Sequence, residues 1–275
     1  MLQLLKSVIV TGASSGIGRA ASITLAKSGY RVFGLARSYD KLQELTSELP
    51  AENYVAVKFD ITRPESFGAV VSDIAARGQI FGLVNNAGYV EPGAIEDVSM
   101  PDLRAQFETN FFGLVGLTKQ VLPLMMQKGE GRIVNISSMA GMVSLPLIGA
   151  YCAAKHALEA VSDALRMELW NTGIKVVNIN PGVIETNIHT ITQSKTALLT
   201  NSKFANAYRK YLENVPKGLP ASTVADVILQ AIGSPDPKQR YVIGSGREKA
   251  GIRLRPFIPD SLFYAQVAKR INVDC

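Results

Sequence analysis

Cysteine is nearly absent from this chain: Cys152 and Cys275 are the only two in 275 residues. Two cysteines make neither a disulfide framework nor a thiolate metal cluster, so a reducing, cytoplasmic setting is expected. Histidine is equally scarce. His156 and His189 lie far apart in sequence with no carboxylate cluster beside them, which argues against a metal site. Long apolar runs are missing too, since no stretch reaches the roughly 18 residues a membrane span needs. The opening "MLQLLKSVIV" has an internal lysine and no small-residue cleavage site, and reads as a buried strand rather than a signal peptide. Nor is there a run of basic residues. The net charge is +6, but its lysines and arginines are scattered, so no nucleic-acid partner is expected. A polyanionic small molecule accounts for the mild basic excess equally well.

What the chain has is a rhythm. Short β-branched runs ("SVIV", "YRVFGLAR", "NYVAVKF", "IFGLVNNAG", "GRIVNIS", "IKVVNINPG") alternate with longer amphipathic stretches. That alternation predicts an α/β fold, a doubly wound parallel sheet with helices on both faces. No linker or low-complexity segment interrupts it, so one domain over 1–275 is expected. "LRAQFETNFFGLVGLTKQVLPLMMQK" reads as one long helix, and the tail from Arg247 as an irregular cap ending in a short helix.

Behind the first strand stands "TGASSGIG", Thr11 to Gly18. A helix starting there presents unpaired N–H groups and a positive dipole end, an anion site if side chains leave room. Gly12 allows the tight exit, Gly16 the approach of a pyrophosphate, and Gly18 the packing of helix on sheet. Ser14 and Ser15 add hydroxyl donors. About twenty residues on, dinucleotide folds place an acid to grip the ribose hydroxyls. This chain has Ala36 and Arg37 there. A guanidinium accepts a 2′-phosphate that an acid would repel, so the cofactor expected is NADP(H).

"YCAAK" sets Tyr151 and Lys155 four apart on one helix face. Alone, that spacing carries little information. Its company matters: Ser138 in "NISS", Asn85 to Gly88 in "NNAG", and Asn180 to Gly182 in "NPG" each close a strand at the edge where open α/β sheets bind ligands. With Asp60, Asn110 and Thr186, these pieces resemble the short-chain dehydrogenase/reductase family, in the group of hydroxysteroid- and retinol-dehydrogenase-like carbonyl reductases. The resemblance implies one Rossmann-type sheet of about seven strands and hydride transfer between a nicotinamide and an alcohol or ketone. A base is needed when hydride leaves an alcohol carbon, and an acid in reverse. Tyr151 is assigned that task, its phenol pKa lowered by Lys155 and the oxidised nicotinamide. Ser138 donates to the substrate oxygen. Lys155 is expected to hold the nicotinamide ribose. By resemblance, Asn110 keeps a water linked to Lys155. Ile17 belongs to the cofactor loop, Asp60 and Ile61 contact adenine, Asn86, Ala87 and Gly88 line the cofactor, and Pro181, Gly182, Ile184 and Thr186 contact the nicotinamide.

Other residues have plainer readings. Cys152 points away from Tyr151 and belongs to the core, and Trp170 to the core or an interface. Apolar residues in "MAGMVSLPLIG", Tyr89, Val90, and Leu198, Leu199, Phe204, Tyr208 and Tyr211 of a lid over 187–220 predict a hydrocarbon pocket and a lipophilic carbonyl or alcohol substrate. Packing of the lid onto the core is the competing account of the same residues. Two other readings stay open: a non-catalytic NADP(H)-binding regulator, and an enzyme held at a membrane surface by the basic, aromatic tail. The family pairs its long helices into two-fold interfaces, which implies a homodimer or homotetramer.

Overall fold

The strands are apolar along their whole length because both of their faces are covered. In the computed structural model, which describes residues 5–186, 194–196, 199, 201–213 and 217–271, β1 (Ser7–Thr11) is buried at every position. It pairs in parallel with β2 (Arg31–Ala36) on one side and β4 (Ile80–Asn85) on the other. β3 (Tyr54–Lys58), β5 (Gly131–Ile136), β6 (Ile174–Pro181) and β9 (Arg240–Ile243) complete a seven-stranded parallel sheet in the order β3-β2-β1-β4-β5-β6-β9. The expected doubly wound fold is what forms. A separate short pair joins β7 (Ile184–Glu185) to β8 (Leu219–Pro220).

Alternation along each strand splits the core in two. Val8, Val10, Val32 and Val177 face one side, where Ala21 and Leu25 of α1 (Gly16–Lys27) and Val224 and Ile228 of the late helix Ala221–Gly233 cover them. Ile9, Phe33, Leu83 and Ile133 face the other, against Phe67 and Val71 of α3 (Phe67–Ala76), Leu114 and Leu117 of α5 (Gly113–Lys128), and Leu158 of α6 (Gly149–Glu168). Each such side chain contributes about 1.5–3 kcal/mol by leaving water. α2 (Tyr39–Glu48) follows β2 and sends Leu42 and Leu45 into the first layer.

Two elements differ from expectation. The long run before β5 is not one α-helix: α4 (Met100–Phe107) passes through a π turn at Glu108–Phe112 before α5 begins. The helix lies so close to the loop after β3 that a Cβ on Gly113 would sit 2.2 Å from the Ile61 carbonyl oxygen. The wider turn fits an extra residue into that crowded stretch and buries Asn110 completely. The tail is more regular than its prolines suggest. After α7 (Ala205–Glu213) and α8 (Ala221–Gly233) come α9 (Gly246–Leu254), a 3₁₀ turn at Arg255–Phe257, and α10 (Asp260–Ile271). The reason is a capping box, in which Ser245 Oγ accepts from the Glu248 N–H and Glu248 Oε2 accepts from the Ser245 N–H. No helix among the described residues is long and apolar enough to cross a membrane.

Candidate active site

The strand order reverses between β1 and β4, and the glycine loop opens there. Gly12 and Gly16 sit at φ +67° and +53°, the left-handed region where a side chain is strained. Gly18 packs so tightly that an added Cβ would lie 2.2 Å from the Gly12 carbonyl oxygen. Ser15 caps α1 without a side-chain hydrogen bond, and the first turn holds no acid. The dipole end therefore faces a cavity of about 370 Å³ with nothing negative in its first turn. Ser14, Ser15, Gly16 and Ile17 line that cavity, with Asn86, Ala87 and Gly88 across from them. Thr11 and Asn86 clamp the loop. Thr11 Oγ1 accepts from the Asn86 and Ala87 N–H groups, and Asn86 Nδ2 donates to the Thr11 carbonyl at 2.9 Å. The Asn86 side chain thus buttresses the cradle from below.

Arg37 is exposed and lines the far end of the cavity with Ser38 and Lys41. Lys41, in the first turn of α2, is a second cation that the sequence reading missed. Asp60 and Ile61 line the same end. Burial works to raise the Asp60 carboxyl, but hydrogen bonds from the Thr62 N–H and hydroxyl, with Arg37 and Arg63 nearby, hold it below its ordinary value. Two cations, an uncapped helix start and glycines at the closest approach suit a dinucleotide carrying an extra phosphate.

At the other end β5 delivers Ser138, whose Oγ accepts from the Ala140 N–H, donates to the Pro181 carbonyl at 3.4 Å and is a hydrogen-bond partner of the Tyr151 phenol. Tyr151 and Lys155 project from α6 with Lys155 Nζ 5.7 Å from the phenol ring centroid. Lys155 Nζ donates to the Ile136 carbonyl at 2.7 Å, which leaves two of its three N–H groups for other acceptors. The lowering of the Tyr151 pKa expected of Lys155 and the oxidised nicotinamide has burial working against it. Burial pushes the phenol up to about 12, against an opposing hydrogen bond from Ser138. Burial also draws Lys155 down to about 8, with Glu159 acting against it. Both charged forms are disfavoured in the same dry region, so the protein's own groups hold Tyr151 as an acid.

Asn110 is buried in the π turn and shapes the loop after β4. Its Nδ2 donates to the Tyr89 carbonyl at 2.9 Å and its Oδ1 accepts from the Tyr89 N–H at 3.1 Å. One N–H of Nδ2 and one lone pair of Oδ1 remain beyond these two bonds. Thr186 stands over the glycine loop, its Cγ2 3.0 Å from where a Gly16 Cβ would be. The Gly182 N–H donates to the Ile243 carbonyl at 2.7 Å, and Ile184 is buried in the core. Cys152 is buried as expected.

On the substrate side, Leu147 is held at φ +65° and packs with Ala94, Ala207 and Tyr208, against which Leu199, Phe204 and Tyr211 lie. The Tyr208 hydroxyl accepts from the Ala94 N–H at 2.6 Å and donates to Asp97 Oδ2 at 2.5 Å. For Tyr208, then, packing of the lid onto the core describes the contacts better than a pocket-facing role. Leu198 and His189, also singled out in the sequence, lie outside the described residues. Sequence reasoning also missed a buried polar ladder behind the site. Asn85 Nδ2 donates to Thr118 Oγ1 and Asn135 Oδ1, and Asn135 Nδ2 donates to Ser162 Oγ. Polar residues on strands read as sheet apolar were the available signal.

A nucleotide cradle at a topological switch point, facing a serine, tyrosine and lysine at the same sheet edge, defines a dinucleotide-dependent oxidoreductase. A sequence profile of the short chain dehydrogenase family matches residues 6–197, and the chain belongs to that family. It is 37% identical over 246 residues to the uncharacterized oxidoreductase YbbO of Escherichia coli K12, covering 86% of this chain and 85% of that one. It is 33% identical over 279 residues to an NADPH-dependent 3-dehydrocapnine reductase of Ornithobacterium rhinotracheale, covering 96% and 98%. The crystal structure of a short-chain dehydrogenase from Streptomyces avermitilis superposes with a TM-score of 0.79 at 30% identity, covering 99% of this chain and all of that one.

Proposed function

We propose that this protein is an NADP(H)-dependent reductase of a lipophilic ketone or aldehyde, folded as one domain and working in the cytoplasm. The observation that carries the reading is the meeting of an anion cradle ending in Arg37 and Lys41 with the half-buried Ser138 and Tyr151 and the buried Lys155. The name of the Ornithobacterium relative supports the choice of NADPH. Gly12 to Gly18 would hold the pyrophosphate, Arg37 and Lys41 the 2′-phosphate, Asp60 and Ile61 the adenine end, and Pro181, Gly182, Ile184 and Thr186 the nicotinamide end. Bound NADPH supplies the hydride. Ser138 Oγ donates to the substrate oxygen as charge develops there, and the Tyr151 phenol gives it a proton. Lys155 offers its two remaining N–H groups to the cofactor ribose and keeps positive charge beside the phenol. Met139, Leu147 and Tyr89 would supply the hydrocarbon of the substrate pocket. A carbonyl panel with NADPH tests the whole reading: lipophilic substrates outperform short polar ones in kcat/KM, and the reverse order refutes the apolar pocket.

Arg37 sets cofactor choice. Arg37→Asp puts a carboxylate where the 2′-phosphate would sit, and the preference for NADPH over NADH vanishes or inverts. Equal kcat/KM for the two cofactors in the unmodified enzyme refutes this role.

A two-fold homo-oligomer is proposed through α5 and α6. A groove of about 280 Å³ runs between them, lined by Val115, Leu122, Val161 and Leu165. Met167 and Trp170 are 70% and 69% exposed at the end of α6, which removes Trp170 from the core and suits an interface. Sedimentation at micromolar concentration should give a dimer or tetramer mass; a sharp monomer contradicts it.

A further inference from the structure

The spacing that joins Tyr151 to Lys155 continues one more turn to Glu159. Glu159 is only 7% exposed. Its Oε1 accepts from Asn180 Nδ2 at 2.6 Å, and its Oε2 from Asn178 Nδ2 at 2.6 Å and from Arg240 Nη2 and Nε at 2.7 and 3.2 Å. Receiving four N–H groups and giving none is the pattern of a carboxylate, not of a carboxylic acid. The arrangement is costly enough to need a reason. Asn178 and Asn180 each direct their donors at Glu159 and leave a buried Oδ1 without a hydrogen-bond partner. Asn180 Nδ2 also reaches the Ser138 carbonyl at 3.0 Å. One side chain therefore stands between the last strand, the serine of the site and the helix turn that carries the lysine.

The charges around it are few. On α6 itself are Tyr151, Lys155 and His156, whose Nδ1 bonds the Cys152 carbonyl, on one side and Asp163 and Arg166, paired with each other, on the other. β9 contributes Arg240, which also approaches Asp163 at 3.4 Å. β6 offers only the neutral amides, and β5 the Ile136 carbonyl that binds Lys155. Among the described residues no carboxylate forms an ion pair with Lys155, and Glu159 is the acid whose charge acts on it. Without Glu159, Lys155 is left with only the burial that draws it down.

We propose that Glu159 is a positioning residue of this active site, its charge holding the Lys155 ammonium while Asn180 transmits its position to Ser138. The proposal deepens the reading of Lys155 given above and rests on it. Two variants separate charge from scaffolding because one removes the Glu159 charge and the other only a partner that holds it. In Glu159→Gln the alkaline limb of the kcat/KM profile, set in the unmodified enzyme by loss of the Lys155 proton near 8, moves down by about one unit, a tenfold loss of activity on the limb. In Arg240→Gln the charge stays, held by Asn178 and Asn180, and the limb stays with it. Glu159→Asp keeps the charge and leaves the limb in place even if kcat falls. A merely structural role lowers kcat in all three and moves the limb in none.

The direct readout is the pH titration of the Lys155 Cε resonance in ¹³C-lysine protein without cofactor, assigned with Lys155→Met. A lower midpoint in Glu159→Gln beside an unmoved one in Arg240→Gln supports the proposal, and an unchanged midpoint in Glu159→Gln overturns it. If Glu159→Gln does not fold, the double variant Glu159→Gln/Arg240→Gln, which removes the buried cation together with the acid, takes its place: an unmoved midpoint is fatal. Shifted midpoints in a protein with no NADPH-linked turnover would instead overturn the reductase reading and leave the Glu159–Lys155 coupling standing.

Discussion

Replacing Tyr151 with phenylalanine leaves a protein that binds NADPH almost as well as before and turns over substrate on the order of 10⁴ times more slowly, the upper range for loss of a positioned proton donor. The substitution deletes one hydroxyl and little else. The ring remains beside Lys155, whose Nζ lies 5.7 Å from its centroid and keeps its bond to the Ile136 carbonyl. Ser138 loses a partner but retains the Ala140 N–H and the Pro181 carbonyl. The cradle is untouched. Fluorescence titration with NADPH and single-turnover kinetics separate binding from chemistry. Near-normal turnover in the variant would remove Tyr151 from the mechanism altogether.

Gly18→Ala acts at the opposite end and by the opposite route. The new methyl would lie 2.2 Å from the Gly12 carbonyl oxygen and 2.6 Å from Asn86 Nδ2, so either α1 or the glycine loop must move. Neither is soft: the loop is clamped from below by Thr11 and Asn86, and Leu25 packs α1 onto the sheet. Overpacking of this kind costs about 1–3 kcal/mol, divided between fold and cradle. The expected result is a lower Tm together with NADPH affinity weakened roughly two- to tenfold, the equivalent of about half such a cost at the site. Wild-type affinity and Tm in this variant would show that the close approach of Gly18 is not needed.

The two residues also mark what could be read from the sequence. Gly18, Arg37, Ser138 and Tyr151 are legible because each is a local signal: a glycine at a strand–helix junction, a cation at a strand end, a polar residue closing an apolar run, a four-residue helix spacing. The sheet is legible for the same reason, as six β-branched runs between amphipathic ones. Glu159 and Lys41 stay hidden because acids and lysines on helices are ordinarily solvated, and only the packing of β6 and β9 against α6 makes Glu159 different. The π turn at Glu108–Phe112 leaves no mark in an apolar pattern; what demands it is the Ile61 carbonyl beside Gly113, 52 positions away in the numbering. At Tyr151 the sequence supplies the charges but not the burial that opposes them. Sequence shows which charges are near; it does not show how dry they are.

The last strand has a bearing on the order in which the protein becomes competent. β9 lies beside β6, lends its Ile243 carbonyl to the Gly182 N–H, and brings Arg240 to Glu159. Glu248 follows, with Oε1 only 2.6 Å from where a Gly182 Cβ would be. The nucleotide cradle is lined almost wholly by residues up to Val90, with Thr109 and Thr186 added later, but α1 behind it packs on α8, another late element. During synthesis neither end of the site therefore has its full backing until α8 and β9 have emerged. A nascent chain halted soon after Thr186 would carry every residue that lines the cradle and still lack the elements that hold α1 and the Gly182 loop in place.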